Sequence, residues 1–126
     1  MQPIQLFELA SRQAQWLSVR QGVVAGNIAN ASTPHYAAKD VTPFQSVMQQ
    51  TGVQMAATNP AHFRDAPLAS QITETALNNE AEVQQSGNSV ELEKELMKAG
   101  EIKRDYELNT GLVKSFHRMM LMVVRR

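Results

Sequence analysis

The side chains of this 126-residue sequence best suited to metal binding or acid–base catalysis are its three histidines. His35, His62 and His117 lie in three different segments, and none has a second histidine at the spacing of a helical metal site. The sequence contains no cysteine, which removes disulfides, thiol nucleophiles and thiolate ligands. These residues predict no metal and no cofactor, and they assign the histidines to packing or to the surface.

A second candidate for chemistry is the acidic cluster of Glu91, Glu93 and Glu95. On a helix, residues two apart point in different directions, so this alternation does not bring neighbouring carboxylates together. Gly22 and Gly26 do not form a phosphate loop, because they lie inside a helical pattern that no strand precedes. With no converging polar set, the sequence predicts that the protein is not an enzyme and has no small-molecule substrate.

Charge and hydropathy restrict the partners further. The sequence has twelve basic and twelve acidic residues and no net charge, so nothing favours nucleic acid or an anionic membrane as main partner. No apolar run approaches the roughly 20 residues of a membrane span. The first residues lack the basic and apolar regions of a cleaved signal peptide. We therefore expect the partners to be other proteins.

The N-terminal part of the chain has the pattern of one long helix. Apolar residues recur in alternating steps of three and four, as at the a and d positions of a coiled coil, with one interruption at Gln21. They are Phe7, Ala10, Ala14, Leu17, Val24, Ile28 and Ala31. A second face carries the small residues Ser18, Gly22, Gly26 and Ala29. This face lets another backbone approach closely, and both packing within the chain and packing between subunits stay open.

This helix must end inside the segment from Asn27 to Tyr36. The residue before a proline is disfavoured in the α conformation, so Thr33 is expected to be extended. Thr33 to Tyr36 has the composition of a β-turn with Pro34 at its second position. Histidine at the third position, His35, favours a type I turn or else a strained backbone.

Residues 37–87 are expected to form an irregular insert that is partly disordered in the free chain. Lys39 to Phe44 has the pattern of extended chain, and Phe44, Val47 and Met48 can form a small apolar cluster. The remainder has turn signals without sustained periodicity, which is typical of a segment that orders in an assembly.

A second long helix is expected from Asn88 to the C-terminus, with Asn88 as its cap and Glu91 completing a capping box. Unbroken, it is about 55 Å long. Its a-type positions are apolar in character: Leu92, Ala99, Tyr106, Val113 and Met120. Its d-type positions are mixed: Glu95, Ile102, Asn109, Phe116 and Val123.

An apolar block, Met119 to Val124, closes the chain before Arg125 and Arg126. The pattern favours the buried end of a coiled coil over a tail that touches a membrane surface.

Together these patterns predict a mainly α protein in three segments, 1–36, 37–87 and 88–126. Long N- and C-terminal helices form a coiled-coil hairpin, and the irregular insert connects them.

Two blocks of the sequence carry a family resemblance. The motif Asn27-Ile28-Ala29-Asn30-x-x-Thr33-Pro34-x-Tyr36 resembles the signature near the N-terminus of bacterial flagellar rod and hook proteins. The block from Gly87 to Met97, together with the short chain, is similar to the proximal-rod members of that family. The family usually has glycine at the position of His35.

The resemblance implies a structural subunit of the flagellar proximal rod, which self-assembles through its terminal helices into a tubular axial structure. Such subunits leave the cytoplasm by type III export without a cleaved signal peptide and reside in the periplasmic rod of the basal body. The implied partners are other rod proteins, copies of the chain itself, the membrane-ring base and the export gate.

The expected assembly seam uses both terminal helices and consists of Leu17, Val24, Ile28, Tyr106, Val113, Phe116 and Met120. By the same resemblance, Val41 and Phe44 are candidates for an export-recognition segment. The alternative function is a cytoplasmic helical adaptor or export chaperone. Location separates the two functions, because an adaptor stays in the cytoplasm and a rod subunit is recovered with the basal body.

Overall fold

The computed structural model describes residues 3–49, 72–77 and 85–124. The element order along the chain is α1 (Pro3–Ala29), β1 (Lys39–Val41), α2 (Phe44–Gln49), β2 (Glu74–Ala76) and α3 (Leu92–Val124). At 1.5 Å per residue, α1 is about 40 Å long and α3 about 50 Å. The expectations for 50–71 and 78–84, including His62, lie outside the described residues.

Helices α1 and α3 form an antiparallel hairpin. The rings of Phe7 and Phe116 meet edge to face, with centroids 5.9 Å apart. Further along, Asn109 Nδ2 donates to the carbonyl of Ala10 at 2.8 Å. As α1 proceeds from its start to its end, its contacts on α3 therefore run backwards along the sequence. The predicted mainly α hairpin is confirmed.

The line of α3 that faces α1 is the d-type line. Glu95, Ile102 and Asn109 are the buried residues of this helix among those described. The a-type residues Leu92 and Tyr106, although apolar, are mostly exposed. The interior of the hairpin is therefore lined by the more polar of the two lines, and much of the apolar line stays accessible.

The hydrophobic core lies where the two helices meet the ends of the insert. Its buried members are Trp16, Leu17, Val24, Val41, Val47, Ile72 and Ile102. Trp16 is not part of the predicted heptad seam, yet it is buried and its indole N–H donates to the carbonyl of Thr42 at 2.8 Å. Phe44 packs on it with centroids 5.9 Å apart. The predicted apolar cluster at Phe44 and Val47 thus joins the main core.

Two short strands attach the insert to the hairpin. They pair antiparallel, with Lys39 opposite Ala76, Asp40 opposite Thr75 and Val41 opposite Glu74. The predicted extended segment is correct for Lys39–Val41 and wrong at Phe44, where α2 begins. The carbonyl of Pro43 accepts hydrogen bonds from the N–H groups of Ser46 and Val47, which starts this helical turn.

The predicted capping box at the start of α3 is wrong. The helix begins at Leu92, and the first bond across its end runs from the N–H of Glu95 to the carbonyl of Glu91. Asn88 lies three residues before Glu91, and its side-chain amide donates to backbone carbonyls just beyond the end of α1 instead. No helix within the described part of the chain is long and apolar enough to cross a membrane.

Candidate functional site

The motif at the end of α1 unwinds through a series of short-range hydrogen bonds. The N–H of Asn30 donates to the carbonyls of Gly26 and Asn27, each at 3.1 Å, and the N–H of Thr33 donates to the carbonyl of Asn30 at 3.0 Å. The Asn30 side chain donates back to the Gly26 carbonyl at 2.8 Å. These bonds satisfy carbonyls that the end of a helix leaves free, and they explain why α1 ends at Ala29 as the motif predicted.

The turn at His35 has the left-handed conformation. His35 has φ of 59°, the one positive φ among the described non-glycine residues. The type I expectation is therefore wrong, and the strained alternative is correct. Left-handed geometry costs a residue with a Cβ about 1 kcal/mol, which explains why glycine suits this position better than histidine.

The turn is held by the residues that precede α3. The N–H of His35 donates to the carbonyl of Ser86 at 3.0 Å, and the N–H of Ser89 donates to the carbonyl of Tyr36 at 3.1 Å. Gly87 has φ of +75°, and a Cβ placed there would lie 2.5 Å from His35 Nδ1. The two sequence blocks that carry the family resemblance therefore pack directly on each other.

Asn88 is buried and fastens the turn to the start of the C-terminal segment. Its Nδ2 lies 2.9 Å from the carbonyl of Asn30, 3.0 Å from that of Ala31 and 2.8 Å from that of Thr33. Its Oδ1 accepts the N–H of Val90 at 2.7 Å. One carboxamide thus shares two hydrogens among three carbonyls of the unwinding helix end, which explains why it does not cap α3.

Asn27, at 0% exposure, joins three elements. Its Nδ2 donates to the carbonyl of Lys39 at 2.7 Å and to Glu95 Oε2 at 2.9 Å. Its Oδ1 accepts the N–H of Lys39 at 3.0 Å and, at a long 3.5 Å, the hydroxyl of Tyr36. Every donor and acceptor position of the carboxamide has a partner, so its burial costs little.

A chain of charged groups continues from this contact. Lys98 Nζ lies 2.8 Å from Glu95 Oε1 and 3.3 Å from Asp40 Oδ2. Asp40 Oδ1 in turn lies 3.3 Å from Arg20 Nε, and the Arg20 guanidinium sits 5.4 Å from the centre of the Trp16 ring. We call Arg20, Asp40, Glu95 and Lys98 the ionic chain. It connects α1, β1 and α3.

The surroundings of the ionic chain favour the charged forms of two members. Burial alone would raise the pKa of Asp40, but the N–H of Val41 and the nearby Arg20 and Lys98 charges outweigh it, and the pKa lies below 3.8. Burial alone would lower the pKa of Lys98, but its contacts with Glu95 and Asp40 outweigh it, and the pKa lies above 10.5. Both groups are therefore charged across the physiological range.

The remaining motif residues lie on the outside of the turn or at its margin. Ile28 is half-buried and packs against the core, while Ala29, Thr33 and Pro34 are exposed. The Thr33 hydroxyl donates to Asn30 Oδ1 at 3.2 Å. The motif therefore has an inner part that holds the hairpin together and an outer part that is free to contact another molecule.

The predicted assembly seam divides into buried and accessible residues. Leu17 and Val24 lie in the core, whereas Tyr106 is 53% exposed and borders an open groove of about 390 Å³ between the helices. The other members are half-buried: Ile28, Val113, Phe116 and Met120. The seam thus closes the hairpin at some positions and remains accessible at others, and its role in assembly stays a prediction.

Helix α3 exposes more apolar surface than the seam alone. Large hydrophobic side chains that are about half exposed or more occur along its whole length: Leu92, Leu96, Met97, Tyr106, Leu108, Leu112, Met119, Leu121, Met122, Val123 and Val124. On α1, a Cβ placed at Gly22 or Gly26 would meet no described atom within 4 Å outside the helix itself. Extended apolar surface of this kind marks an interaction site.

The candidate export residues are inside the folded chain. Val41 is buried in the core and Phe44 is half-buried on Trp16. Within residues 3–49, 72–77 and 85–124, no three histidine, aspartate or glutamate side chains are grouped so as to hold a metal ion.

Comparison with known proteins identifies the family. No protein-family model matches the chain. The chain is 64% identical over 130 residues to the flagellar basal body rod protein FlgB of Agrobacterium fabrum. This match covers 100% of this chain and 97% of that protein. The chain is also 31% identical over 91 residues to FlgB of Bacillus subtilis. This second match covers 71% of this chain and 69% of that protein. The chain belongs to the FlgB family of flagellar basal-body rod proteins.

Membership of the FlgB family confirms the resemblance carried by the two sequence blocks. The sequence did not predict the buried hydrogen bonds that residues of these two blocks make. The sequence predicts Asn27 as a motif residue and Asn88 as a helix cap, whereas both bond to segments more than fifty residues away, Asn27 to Glu95 and Asn88 to Asn30. A polar residue at a d-type position, such as Glu95 or Asn109, was the available signal of a buried polar contact.

Proposed function

We propose that this chain is a structural subunit of the flagellar proximal rod and assembles with its neighbours through α3. Membership of the FlgB family supports a structural role in the basal-body rod. The observation that carries the proposal is the exposed apolar surface of α3, which a monomer in water would not keep unless a partner covers it. In this proposal, the interior contacts of the hairpin hold α3 in place so that this surface is presented to neighbouring subunits.

The proposed assembly contact uses the accessible part of the seam and the residues beside it. Tyr106 and Leu112, at 53% and 58% exposure, lie on α3 three residues before and after buried Asn109, and both are accessible from outside the hairpin. Val113 and Met120 are half-buried beside them. Packing against the helices of neighbouring subunits would bury these side chains between helices, as apolar residues are buried in a coiled coil. In this proposal, 1–36 and 88–126 are the segments of the hairpin and 37–87 is the insert between them, from which Val41, Val47 and Ile72 contribute to the core.

Export precedes assembly in the proposed sequence of events. The chain leaves the cytoplasm by type III export, keeps its N-terminus, and joins other rod proteins and copies of itself above the membrane-ring base and export gate, in the periplasm. Because Val41 is buried in the core and Phe44 packs on Trp16 in the folded chain, the export apparatus would recognise them in the unfolded chain. Alanine at both positions is expected to reduce secretion, and normal secretion would contradict this part of the proposal.

The test is mass spectrometry of detergent-purified hook–basal bodies from cells that express wild-type or variant chains. We expect the wild-type chain intact, with its N-terminal residues. We expect Leu112→Asp to be exported but absent from basal bodies, because the variant retains its core and places a charge on the contact surface. Leu112→Met keeps the surface apolar and is the matched control.

Two outcomes would contradict the proposal. Normal incorporation of Leu112→Asp would show that the α3 surface is not covered in the rod. Absence of the wild-type chain from basal bodies, with abundant chain in the cytoplasm, would favour the cytoplasmic adaptor or export chaperone instead.

A further inference from the structure

Burial along α3 ends at Asn109. This residue is the last buried one that the structure describes on the helix, and its Nδ2 donates to the carbonyl of Ala10 at 2.8 Å. The helix nevertheless continues to Val124, about 22 Å further at 1.5 Å per residue. We call residues 95–109, which include the buried Glu95, Ile102 and Asn109, the anchored part, and residues 112–124 the α3 arm.

The α3 arm is less covered by the rest of the chain than the anchored part. Val113, Phe116 and Met120 are half-buried, and the other residues of the arm are exposed. The ring of Phe116 meets that of Phe7 edge to face, with centroids 5.9 Å apart. Because buried apolar area supplies most of the free energy that holds two helices together, the arm separates from α1 more easily than the anchored part does.

The residue after Asn109 weakens the helix at this boundary. Thr110 Oγ1 donates to the carbonyl of Tyr106 at 2.9 Å. That carbonyl, four residues earlier, is also the acceptor for the N–H of residue 110 in an α-helix. A threonine hydroxyl that bonds the i−4 carbonyl lowers helix stability slightly and often bends the helix. The start of the α3 arm therefore has a side chain that favours bending.

Gly111 follows, and no described neighbour requires a glycine there. Gly111 is exposed and helical, and a Cβ at this position would meet no described atom within 4 Å outside the helix itself. Alanine would therefore fit and would make the helix stiffer, since only proline is less favourable than glycine inside a helix. Sharp helix bends are typical of glycine–serine pairs and of places where a side chain enters the backbone hydrogen bonds, and Thr110 with Gly111 resembles both.

Gly100 offers an internal comparison on the same helix. It is also exposed, and a Cβ there would also meet no described atom within 4 Å outside the helix. Buried residues flank it on both sides, however, with Glu95 before it and Ile102 after it. The helix is therefore held to the hairpin on both sides of Gly100, whereas Gly111 has a buried residue of α3 on one side only.

We infer that Thr110 and Gly111 form a hinge, about which the α3 arm swings away from α1 while the anchored part stays packed. No member of the hydrophobic core belongs to the arm, so the motion leaves the core closed and separates the rings of Phe7 and Phe116. One folded chain can thus present the apolar side chains of the arm at more than one angle. The hinge is a property of the free chain and does not depend on the proposed role in the rod.

The test measures distances between pairs of spin labels in the purified full chain by pulsed electron paramagnetic resonance. Because the sequence has no cysteine, labels can be attached at chosen positions. Ala25→Cys with Arg118→Cys reports on the arm, and Ala25→Cys with Glu107→Cys is the matched control in the anchored part; all three positions are exposed. We expect one narrow distance distribution for the control pair and two components for the arm pair.

Helix variants tie the second component to the hinge. Gly111→Ala is expected to lower the ratio of open to closed arm about fivefold, since alanine stabilises the unbent helix at this position. Gly100→Ala is the matched control and is expected to leave the ratio unchanged, because the helix is held on both sides of that residue. Thr110→Val removes the hydroxyl and keeps the shape, and it is expected to lower the ratio by a smaller factor than Gly111→Ala.

Amide hydrogen exchange of the unlabelled chain provides a second measurement. A helix as short as the separated arm is marginal on its own, so its amides are expected to exchange faster than those of the anchored part. Gly111→Ala is expected to slow exchange in the arm, and Gly100→Ala is expected to leave it unchanged.

Three results would overturn the inference. A single narrow distribution for the arm pair would show that the arm keeps one position. Equal exchange rates in the arm and the anchored part would show that the hairpin opens only as a whole. Equal effects of Gly111→Ala and Gly100→Ala would show that Gly111 has no special place in the motion. The recovery of the wild-type chain in basal bodies tests the proposed function separately from all three.

Discussion

Asn27 Nδ2 donates to Glu95 Oε2 at 2.9 Å, and both side chains are buried. The two residues are 68 positions apart in the sequence, at the end of α1 and near the start of α3. The same Asn27 carboxamide bonds both backbone groups of Lys39, so one side chain sets the position of three elements. The signature motif therefore acts first as an interior contact that closes the hairpin.

Replacing Asn27 by alanine is expected to destabilise the chain by about 2–4 kcal/mol, because both backbone groups of Lys39 and the Oε2 atom of buried Glu95 lose the hydrogen bonds that Asn27 makes to them. Urea unfolding followed by circular dichroism measures this loss. Ser18→Ala, at an exposed position of the same helix, is the control and is expected to change stability by less than about 0.5 kcal/mol. A loss of similar size in both variants would contradict the interior role of Asn27.

Stability is expected to fall at both pH extremes through the ionic chain. The pKa of Asp40 lies below 3.8, so its contribution is present above about pH 4 and is lost as the pH falls through the lowered value. The pKa of Lys98 lies above 10.5, so its contribution is present below that pH and is lost as the pH rises through the raised value. The measurement is the free energy of unfolding across the pH range.

Two variants test whether Asp40 and Lys98 cause the loss of stability at acid and at alkaline pH. Asp40→Asn is expected to flatten the acid side of the profile, and Lys98→Met the alkaline side, each relative to wild type. An acid limb that is unchanged in Asp40→Asn would show that another carboxylate controls it.

Asn109 is expected to lower the stability of the hairpin while favouring one register of α3 against α1. It is buried at a d-type position and its amide reaches the Ala10 carbonyl of the opposite helix. Asn109→Leu is expected to raise the free energy of unfolding by about 1 kcal/mol and to weaken the preference for one register. Asn109→Asp buries a charge at the same position and is expected to cost about 3 kcal/mol or more.

Register can be measured directly because the chain has no cysteine. Paired cysteines at Phe7 and Phe116, whose rings meet in the hairpin, report the native register by the rate of disulfide formation. Slower or competing disulfide formation is expected in the Asn109→Leu background, and an unchanged rate would assign register to the apolar residues alone.

His35 and Gly87 are expected to be energetically coupled. Both have positive φ, and the His35 ring occupies the space that a Cβ at position 87 would need. His35→Gly is expected to stabilise the chain by about 1 kcal/mol, since glycine adopts this conformation without steric cost. Gly87→Ala is expected to destabilise it by about 2 kcal/mol or more.

The double variant tests the contact itself. With His35 replaced by glycine, the clash at position 87 is removed, and the cost of Gly87→Ala is expected to fall by about 1 kcal/mol. Additive effects of the two changes would contradict a direct contact between the side chain and residue 87.

The sequence alone was sufficient for the two long helices and for the family. The three-and-four spacing from Phe7 onward and the Thr33-Pro34 pair placed the first helix and its end, since helix periodicity and the restriction before proline are local properties. The two motif blocks also identified the rod-protein family correctly.

The tertiary structure decided which line of α3 faces inward. Periodicity showed an apolar a-type line and a mixed d-type line, and apolarity alone favoured burial of the first. The d-type residues Glu95, Ile102 and Asn109 are buried instead, because Glu95 and Asn109 find partners on Asn27 and Ala10 that are distant in the sequence. A buried polar side chain is stable only when its partners are in place, and no local pattern can show a partner that folding brings from the other end of the chain.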